Sequence, residues 1–442
     1  MSREMKHSGI EWIGEIPKEW SQYRIKYNTF LKGRIGWQGL NSNDFIDEGY
    51  CLITGTDFDN KGGINWDTCY RISKKRFDED ELLHVKEGDL LMTKDGTVGK
   101  MAIIKVLPEE ASLNSHLLII RQLTNLIDNS FLYWAMLSDV FKGFCMYYQS
   151  GTIMSSISQS TLGFFACYCP PFSEQQKIVN YLDKICGEVD DMIALQEQMI
   201  EELKAYKQSV ITEAVTKGLN PNVPMKDSGI DWIGEVPEHW EIVRLKALGG
   251  LQNGISQSGD YFGEDFLYPF VSYPDVYKNM EIPYPSGRAN STIEDRTRYS
   301  VREGDVLFTR TSETIEEIGF AATCINTITN AVFSGFLIRF RPNSERLYKG
   351  YSKYYFRSNI HRAYFVKEMN LVTRASLSQD LLKNLFVLIP FIAEQQSIAS
   401  YLDTKCAEID DLIAIKQSKI EELKEYKKSV IYEYVTGKKE VV

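Results

Sequence analysis

Features that would indicate metal chemistry or secretion are scarce in this chain of 442 residues. Only five histidines occur, and the eight cysteines are scattered without a Cys-x-x-Cys pair, so we expect no metal site. Scattered thiols are typical of reduced, cytoplasmic proteins. The stretch from Met1 to Lys6 has no apolar segment behind its charges, which argues against a signal peptide.

Long hydrophobic runs and low-complexity segments are also missing. The longest apolar run, Leu385 to Ile392, is interrupted by Pro390 and falls far short of the roughly 18 residues that a membrane span needs. We therefore expect no membrane contact. A hydrophobic fraction of 43% and an aromatic fraction of 12% indicate a well-packed globular protein. The length alone predicts about three domains.

A basic excess is absent as well, because the formal net charge is −10. Residues 21–165 carry 15 basic and 17 acidic side chains, and residues 241–385 carry 18 and 16, so most of the acidic excess lies elsewhere. Arginine supplies twelve of those eighteen basic residues and five of the fifteen in the first region. Arginine favours bidentate contacts with bases and phosphates. Near-neutral regions of this kind fit specific DNA reading better than tight non-specific binding.

What the chain does contain is a copy of itself. Residues 8–20 read SGIEWIGEIPKEW, and residues 228–240 read SGIDWIGEVPEHW, at an offset of 220. The Glu-Gln-Gln of residues 174–176 returns at 394–396 with the same offset. A fixed period predicts two copies of one structural unit. Two similar but unequal halves can recognise a target that itself has two parts.

The offset changes inside one loop. Residues 87–93 correspond to residues 303–309 at an offset of 216, and the offset returns to 220 by Gly99 and Gly319. The second copy therefore carries four extra residues between two strands, and it lacks the counterpart of Gly96. A repeat that keeps its strands and changes its loops preserves a scaffold while altering what the loops touch. We expect the two halves to differ in specificity.

Each half ends in one long predicted helix. Residues 174–216 and 394–436 are identical at 26 of 43 positions, and Ser173 followed by Gln176 predicts a capping box at the start of the first helix. Gly218 and Pro221 are expected to end it. A narrow apolar stripe flanked by charge predicts an antiparallel coiled coil. The predicted seam residues are Ile178, Leu182, Ile185, Val189, Met192, Leu203, Val210, Ile398, Leu402, Ile409, Leu412, Leu423 and Val430.

Four motifs, in order and in part duplicated, resemble those of the specificity subunit of Type I restriction-modification systems. They are the doubled SGI[ED]WIGE[IV]P, then EGDLLMTKDGTVGKMAI, GTIMSSISQSTL and PPFSEQQKIVNYLD. The resemblance covers essentially the whole chain. It implies an α+β fold with two pseudo-symmetric target-recognition domains joined by two long helices. The expected boundaries are 1–172 for the first domain, 173–217 for the central helix, 218–392 for the second domain and 393–437 for the C-terminal helix.

The resemblance also implies partners and a division of labour. Each target-recognition domain reads one half of a split site on double-stranded DNA, the coiled coil sets the spacer, and two methyltransferase subunits dock on the conserved regions. The chain itself is then non-catalytic and holds no cofactor. S-adenosylmethionine belongs to the methyltransferase, and ATP and magnesium belong to restriction subunits where these join the complex.

Enzyme motifs were tested against the sequence and disfavoured. Cys169-Pro170-Pro171-Phe172 lacks the amide or carboxylate with which adenine methyltransferases accept the adenine amine, so we expect it to end a strand and begin a helix. Residues 96–100, GTVGK, have too short a glycine spacing for a P-loop. Two alternatives stay open: an interaction scaffold that binds proteins, and an autonomous DNA-modifying enzyme.

The candidate DNA-binding residues lie in loops and basic clusters of both halves. Arginine can bridge guanine O6 and N7, lysine suits phosphates, and amides pair with adenine. In the first half they are Arg71, Lys74, Lys75, Arg76, Lys94, Asp95, Thr97, Lys100, Gln149, Ser150, Thr152 and Ser155. In the second half they are Arg288, Arg296, Arg298, Arg310, Thr311, Ser312, Asn370, Thr373, Arg374 and Ser376.

Overall fold

The structure is a computed structural model that describes residues 3–34, 44–59, 61–148, 156–256, 267–311, 318–369 and 377–441. It divides into two compact units. The first unit comprises residues 1–197 and 417–442, and the second comprises residues 198–416. The divisions fall inside the two long helices rather than at the helix ends, so each unit contains one globular body and a segment of both helices.

The described residues of the first unit form twelve short strands and six α-helices. The strands are β1 (Met5–His7), β2 (Glu15–Pro17), β3 (Ser21–Arg24), β4 (Thr29–Gly33), β5 (Phe45–Ile46), β6 (Tyr50–Ile53), β7 (Tyr70–Ile72), β8 (Leu90–Thr93), β9 (Met101–Ile103), β10 (Ala111–Leu113), β11 (Leu117–Gln122) and β12 (Ala166–Cys169). The helices are α1 (Ile25–Asn28), α2 (Lys74–Phe77), α3 (Asn129–Leu137), α4 (Asp139–Tyr148), α5 (Gln159–Gly163) and the long α6 (Phe172–Lys217), which continues into the second unit.

The described residues of the second unit repeat this order. Its strands, with the hairpin at its start, are β13 (Met225–Asp227), β14 (Glu235–Pro237), β15 (Glu241–Arg244), β16 (Gly249–Asn253), β17 (Tyr268–Val271), β18 (Arg288–Ala289), β19 (Val306–Thr309), β20 (Ala321–Thr323), β21 (Val332–Phe333), β22 (Leu337–Pro342) and β23 (Phe386–Ile389). Its helices are α7 (Tyr273–Tyr277), α8 (Ile293–Arg298), α9 (Lys349–Tyr355), α10 (Ile360–Met369), α11 (Gln379–Asn384) and the long α12 (Ile392–Val435), which returns to the first unit.

The sheets of the two units correspond. An antiparallel sheet of order β4-β11-β8-β9 in the first unit matches β16-β22-β19-β20 in the second. Beside it lies a sheet with one parallel pair, β10-β6-β7-β5 or β18-β17-β21, and a two-stranded sheet, β12-β3 or β15-β23. The predicted α+β fold with two similar domains is confirmed.

The central strands are apolar on both faces, which the sequence does not show by alternation. All four residues of β8 and the first four of β11 are buried, because one face of the sheet packs on helices and the other on the second sheet. Strands covered on both sides read as continuous hydrophobic runs. The same burial occurs in β19 and β22.

The tryptophan-rich opening motifs fold as small hairpins before the first domain strand. Ser8 N–H donates to the Gly14 carbonyl at 2.9 Å, and Ser228 N–H donates to Gly234 at 3.0 Å. Trp20 and Trp240 are each 1% exposed and belong to the main core of their unit. The motifs therefore have a packing role in both halves.

The segments of the long helices run antiparallel within the first unit. Tyr181 packs on Tyr434 with ring centroids 4.5 Å apart, and Lys427 Nζ lies 2.7 Å from Asp190 Oδ1. In the second unit Lys207 Nζ lies 2.7 Å from Asp410 Oδ1, which is the same pair at an offset of 220 with the helices exchanged. These ion pairs mark the same helix register in both units.

Most of the predicted seam residues are buried, but two predictions were wrong. Met192 and Leu412 are each 46% exposed, while their neighbours Ile193 and Ile413 are half-buried. A helical turn of 3.6 residues permits steps of three or four, and the sequence offers an apolar side chain at both. The buried seam residues are Ile178, Leu182, Val189, Val210, Ile398, Leu402, Ile409 and Val430, and the half-buried ones are Ile185, Leu203 and Leu423.

The capping box predicted at Ser173 was also wrong, because α6 already begins at Phe172. The carbonyl of Pro171 accepts the N–H groups of Glu174 and Gln175 at 2.9 and 3.1 Å instead. The C-terminal end agrees with the prediction. Gly218 has a φ of 74° and donates its N–H to Ala214, in the left-handed conformation that commonly ends helices.

Candidate nucleic-acid interface

Four strand ends of the central sheet meet at one edge of the first unit. Strands β4 and β8 end there, at Gly33 and Thr93, and strands β9 and β11 begin there. The antiparallel register pairs Leu117 with Thr93 and Leu118 with Gly33. The turns at residues 94–100 and 114–116 are thereby brought together with residues 156–158. We refer to these three segments as the first loop edge.

Backbone hydrogen bonds fix the first loop edge around Lys94. Its N–H donates to the His116 carbonyl at 2.9 Å, and its carbonyl accepts Ile157 N–H at 2.7 Å. The Lys94 ammonium donates to the Arg34 carbonyl at 3.4 Å. A cleft of about 370 Å³ lies here, lined by Gly33, Arg34, Lys94, Asp95, Leu118, Ser156, Ile157, Ser158 and Gln159.

The second unit builds the same edge around Arg310. Its N–H donates to the Phe336 carbonyl at 2.9 Å, and its carbonyl accepts Leu377 N–H at 2.8 Å. These are the counterparts of the Lys94 bonds, with the partners displaced by 220 residues. We refer to residues 310–311, 334–336 and 377–378 as the second loop edge. A cationic side chain, lysine or arginine, occupies the same backbone position in both edges.

The extra residues of the second copy fall in the sequence between Thr309 and Gly319. Gly99 N–H donates to the Thr93 carbonyl at 3.0 Å, and Gly319 N–H donates to Thr309 at 3.1 Å. The two glycines have φ values of 88° and 70°, a conformation that side chains other than glycine rarely adopt. The loop therefore begins and ends on the same hydrogen bonds in both halves. The prediction that the insertion falls between two retained strands is confirmed.

The side chains displayed by the two edges differ. In the first, Asp95 accepts a hydrogen bond from His116 Nδ1, and 64% of the histidine side chain is exposed. Thr97 and Lys100 are exposed on the same turn. In the second edge, Thr311 follows Arg310 in the sequence, and the carbonyl of Phe336 accepts the Arg310 N–H. The Phe336 side chain is 62% exposed. One scaffold thus presents two different chemical surfaces.

The basic cluster predicted in the first half is largely neutralised by carboxylates. Arg71 of β7 pairs with Glu109, and Lys74 pairs with Asp78 at 3.1 Å. Arg76 contacts both Asp44, at 3.1 Å, and Glu79, at 2.8 Å. Lys75 is exposed on the same short helix. Hydrogen bonding to the carboxylate raises the pKa of Arg71, first through Glu109, and that of Arg76, first through Glu79. A role of this cluster toward phosphates stays a prediction.

The arginines predicted in α8 and β18 are held by their own segment. Arg296 lies 3.7 Å from the centroid of the Tyr268 ring and donates to the Ser291 carbonyl. Arg288 donates to the carbonyls of Pro285 and Gly287 at 2.7 and 3.1 Å. Arg298 is exposed and stacks over the neighbouring Tyr299. The structure does not bring these three into the second loop edge.

Several predicted residues fall outside the described part of the chain. They lie in residues 149–155, 312–317 and 370–376, which connect to the two loop edges. Their role stays a prediction. They are Gln149, Ser150, Thr152, Ser155, Ser312, Asn370, Thr373, Arg374 and Ser376.

Two residues of the loop edges were missed by the sequence reasoning. His116 and Phe336 each directly precede the six-residue strand at the centre of the sheet, at an offset of 220. That shared position, with unlike side chains, was the available signal. Neither residue belongs to the glycine-containing loop motif from which residues 94–100 were predicted.

The thiol of Cys169 is buried and hydrogen-bonded, which agrees with a structural role for this residue. The residue ends β12, is 6% exposed, and its thiol donates to the carbonyls of Ser21 and Leu126, each at 3.7 Å. Burial raises the pKa of the thiol to about 11. The segment ends a strand and precedes a helix, as predicted.

In the described ranges no group of three or more His, Cys, Asp or Glu side chains could hold a metal ion.

A helix capable of crossing a bilayer is not found in the part of the chain that the structure describes.

Comparison with known proteins identifies relatives over nearly the full length. The family profile described as the Type I restriction modification DNA specificity domain matches twice, at residues 36–205 and 237–425. The MjaVIII specificity subunit of a Type I restriction enzyme from Methanocaldococcus jannaschii is 24% identical, over 96% of this chain and 93% of that protein. The EcoKI specificity subunit from Escherichia coli is 22% identical, over 91% and 86%.

Solved structures show the same fold. A chain from a study of complex assembly and conformational transition of the type I R-M system superposes with a TM-score of 0.72 at 17% identity, covering 95% of this chain and 98% of that one. The HsdS subunit from Thermoanaerobacter tengcongensis gives a TM-score of 0.52 at 16% identity, covering 96% and 98%. Given the two family matches, this chain belongs to the family of DNA specificity subunits of Type I restriction-modification systems.

Proposed function

We propose that this chain selects a bipartite DNA sequence, with each loop edge reading one half, and that it presents the site to methyltransferase partners. The observation that carries the proposal is the matched pair of edges. Lys94 and Arg310 occupy equivalent backbone positions, while Asp95 and His116 in one half are replaced by Thr311 and Phe336 in the other. A shared scaffold with different side chains suits two readers of different half-sites.

The long helices are proposed to set the distance between half-sites. Each is one uninterrupted helix, of 46 residues in α6 and 44 in α12. The ion pairs Lys427–Asp190 and Lys207–Asp410 keep the same register within each unit. A continuous helix is a stiff spacer of about 1.5 Å per residue. Its length therefore supports a role as a ruler.

A second apolar stripe on the helices supports docking of partner subunits. On α6 the exposed side chains recur at spacings of three and four residues or their sum, which keeps them on one face. Three of these positions are also apolar and exposed on α12, at an offset of 220. The side chains are Met192, Leu195, Met199 and Tyr206 on α6, and Leu412, Ile415 and Tyr426 on α12. Repeated exposure outside the seam fits two copies of one partner, such as a methyltransferase subunit.

In this proposal the chain is a non-catalytic specificity subunit. S-adenosylmethionine is bound by the methyltransferase, and ATP and magnesium by a restriction subunit where one joins. The target adenine must leave the base stack to enter the methyltransferase pocket. The loop edges then serve to position the duplex for that step.

The test is long-read detection of N6-methyladenine in cells with and without this gene. The proposal predicts one split motif whose methylation disappears when the gene is removed. Retention of that methylation, with the partner methyltransferase shown to be expressed, would favour the interaction-scaffold alternative. Binding of S-adenosylmethionine by the purified chain alone would favour an autonomous enzyme.

A further inference from the structure

Phe336 is an exposed aromatic side chain at the second loop edge. It lies in the turn between β21 and β22, is 62% exposed, and its carbonyl accepts the Arg310 N–H at 2.9 Å. An isolated exposed phenylalanine needs no explanation by itself. This one is joined through its backbone to Arg310, the cationic residue at the position that the proposed function assigns to base reading.

The turn that carries Phe336 is fixed by its backbone. Gly335 N–H donates to the Ile255 carbonyl at 2.7 Å, and Ser334 N–H donates to Val271 at 3.0 Å. A Cβ on Gly335 would lie 2.7 Å from the backbone carbonyl oxygen of Ile255, so the close approach requires glycine. The aromatic side chain is therefore presented from a rigid support, which lowers the entropic cost of any contact it makes.

The first unit places a polar group at the same point. His116 has the equivalent backbone bond, to Lys94 N–H, and its Nδ1 donates to Asp95. Its exposed Nε2 can accept a hydrogen bond from a base amine. Phe336 has no such capacity, because its side chain has no polar atom. The two edges thus differ in the kind of base group that they can contact.

We propose that Phe336 reads the 5-methyl group of a thymine in the second half-site. In the major groove the bases offer donors, acceptors and, on thymine alone, a methyl group. Phenylalanine is suited to that methyl, and Arg310 beside it is suited to an acceptor on a neighbouring base. This inference rests on the proposed function and names one determinant of its second half.

The experiment uses the complex of this chain with its methyltransferase and duplexes carrying the split motif. Each thymine of the second half-site is replaced in turn by deoxyuridine, which lacks the methyl. We expect one replacement to weaken binding by about fourfold, the factor for losing burial of one methyl group. In F336A the same replacement should have no effect. F336L, which keeps an apolar side chain, should retain part of the discrimination.

The matched control is H116A in the first unit, which should leave every deoxyuridine effect of the second half-site unchanged. A complex that binds the motif with no deoxyuridine effect, or with one that F336A leaves intact, would overturn the inference while sparing the proposed function. Absence of any preference for the split motif over scrambled DNA would instead contradict the proposed function itself.

Discussion

Gln175 and Gln395 make the same three hydrogen bonds in the two halves of the chain. The Gln175 amide nitrogen donates to the carbonyls of Leu126 and Pro170, each at 2.9 Å, and its oxygen accepts Asp128 N–H at 2.8 Å. Gln395 bonds in the same way to Arg346, Pro390 and Tyr348, at 2.8, 2.9 and 2.8 Å. Both side chains are fully buried. Each glutamine ties the start of a long helix to its own domain.

Replacing either glutamine with alanine should release one tie and leave the other. In Q175A the Asp128 amide loses its acceptor and the carbonyls of Leu126 and Pro170 each lose a donor. A buried polar group left without a partner costs about 1 to 3 kcal/mol. We expect faster amide hydrogen exchange at Asp128 and unchanged exchange at Tyr348. Q395A should give the reverse pattern. Equal acceleration at both amides in either variant would show that the two ties are not independent.

The buried histidine of the second domain should make its stability depend on pH. His361 is 2% exposed, and burial, aided by the charge of Arg362, lowers its pKa from 6.5 to about 3. Between pH 3 and pH 6.5 the unfolded chain therefore binds a proton at His361 that the folded chain does not bind. Stability is fully present above pH 6.5 and is lost as pH falls toward 3.

The size of that loss follows from linkage and has a natural control. Between pH 6.5 and pH 5 the loss should be about 2 kcal/mol, at about 1.4 kcal/mol per pH unit. The equivalent residue of the first half is Phe141, which is buried. H361F should therefore flatten the pH dependence in urea unfolding. A variant with the same slope as the unmodified protein would show that His361 is not the titrating group.

The apolar stripe outside the seam should be needed for partner binding but not for folding. Met192 and Leu195 are 46% and 51% exposed, so M192S/L195S removes apolar surface without opening a core. We expect unfolding free energy to change by less than about 0.5 kcal/mol. Co-purification of the methyltransferase should fall to about half, because the matching stripe on α12 is intact. As a control, K204A alters another exposed helix position. If docking uses the apolar stripe, this variant should leave co-purification unchanged.

The ruler can be tested with its register preserved. Deleting seven residues within 194–207 and the matching seven within 414–427 removes one heptad from each helix and keeps the seam on the same face. The helices shorten by about 10.5 Å, or about three base pairs at roughly 3.4 Å each. We expect a motif with a spacer shorter by about three base pairs. The same spacer in the deleted protein would exclude the ruler.

The sequence predicted the architecture well because the repeat and the helix pattern are periodic signals. The prediction of the seam was wrong at Met192 and Leu412, because the next residue in each helix is also apolar and a step of three or four residues can place either one in the seam. The capping box predicted at Ser173 failed because the helix begins one residue earlier, at Phe172, and the Pro171 carbonyl accepts the amides of Glu174 and Gln175.

The candidate site was harder to predict because its parts are far apart in sequence. Lys94 and Arg310 were identified from their loop, yet His116 and Phe336 reach them only through pairing of strands. Basic residues were also overvalued as a class. Arg71 and Arg76 are matched by carboxylates from other segments, such as Glu109 and Asp44, and only the folded chain shows these pairs.

The most direct test of the central claim is the methylome of cells that carry single variants of the two loop edges. Lys94 and Arg310 hold equivalent backbone positions, so K94A and R310A are matched changes, and K204A on the helix is the control. The account predicts that K94A relaxes the bases accepted in one half of the split motif, that R310A relaxes the other half, and that K204A changes neither. Relaxation of both halves by one variant, or of neither half by both, would contradict it.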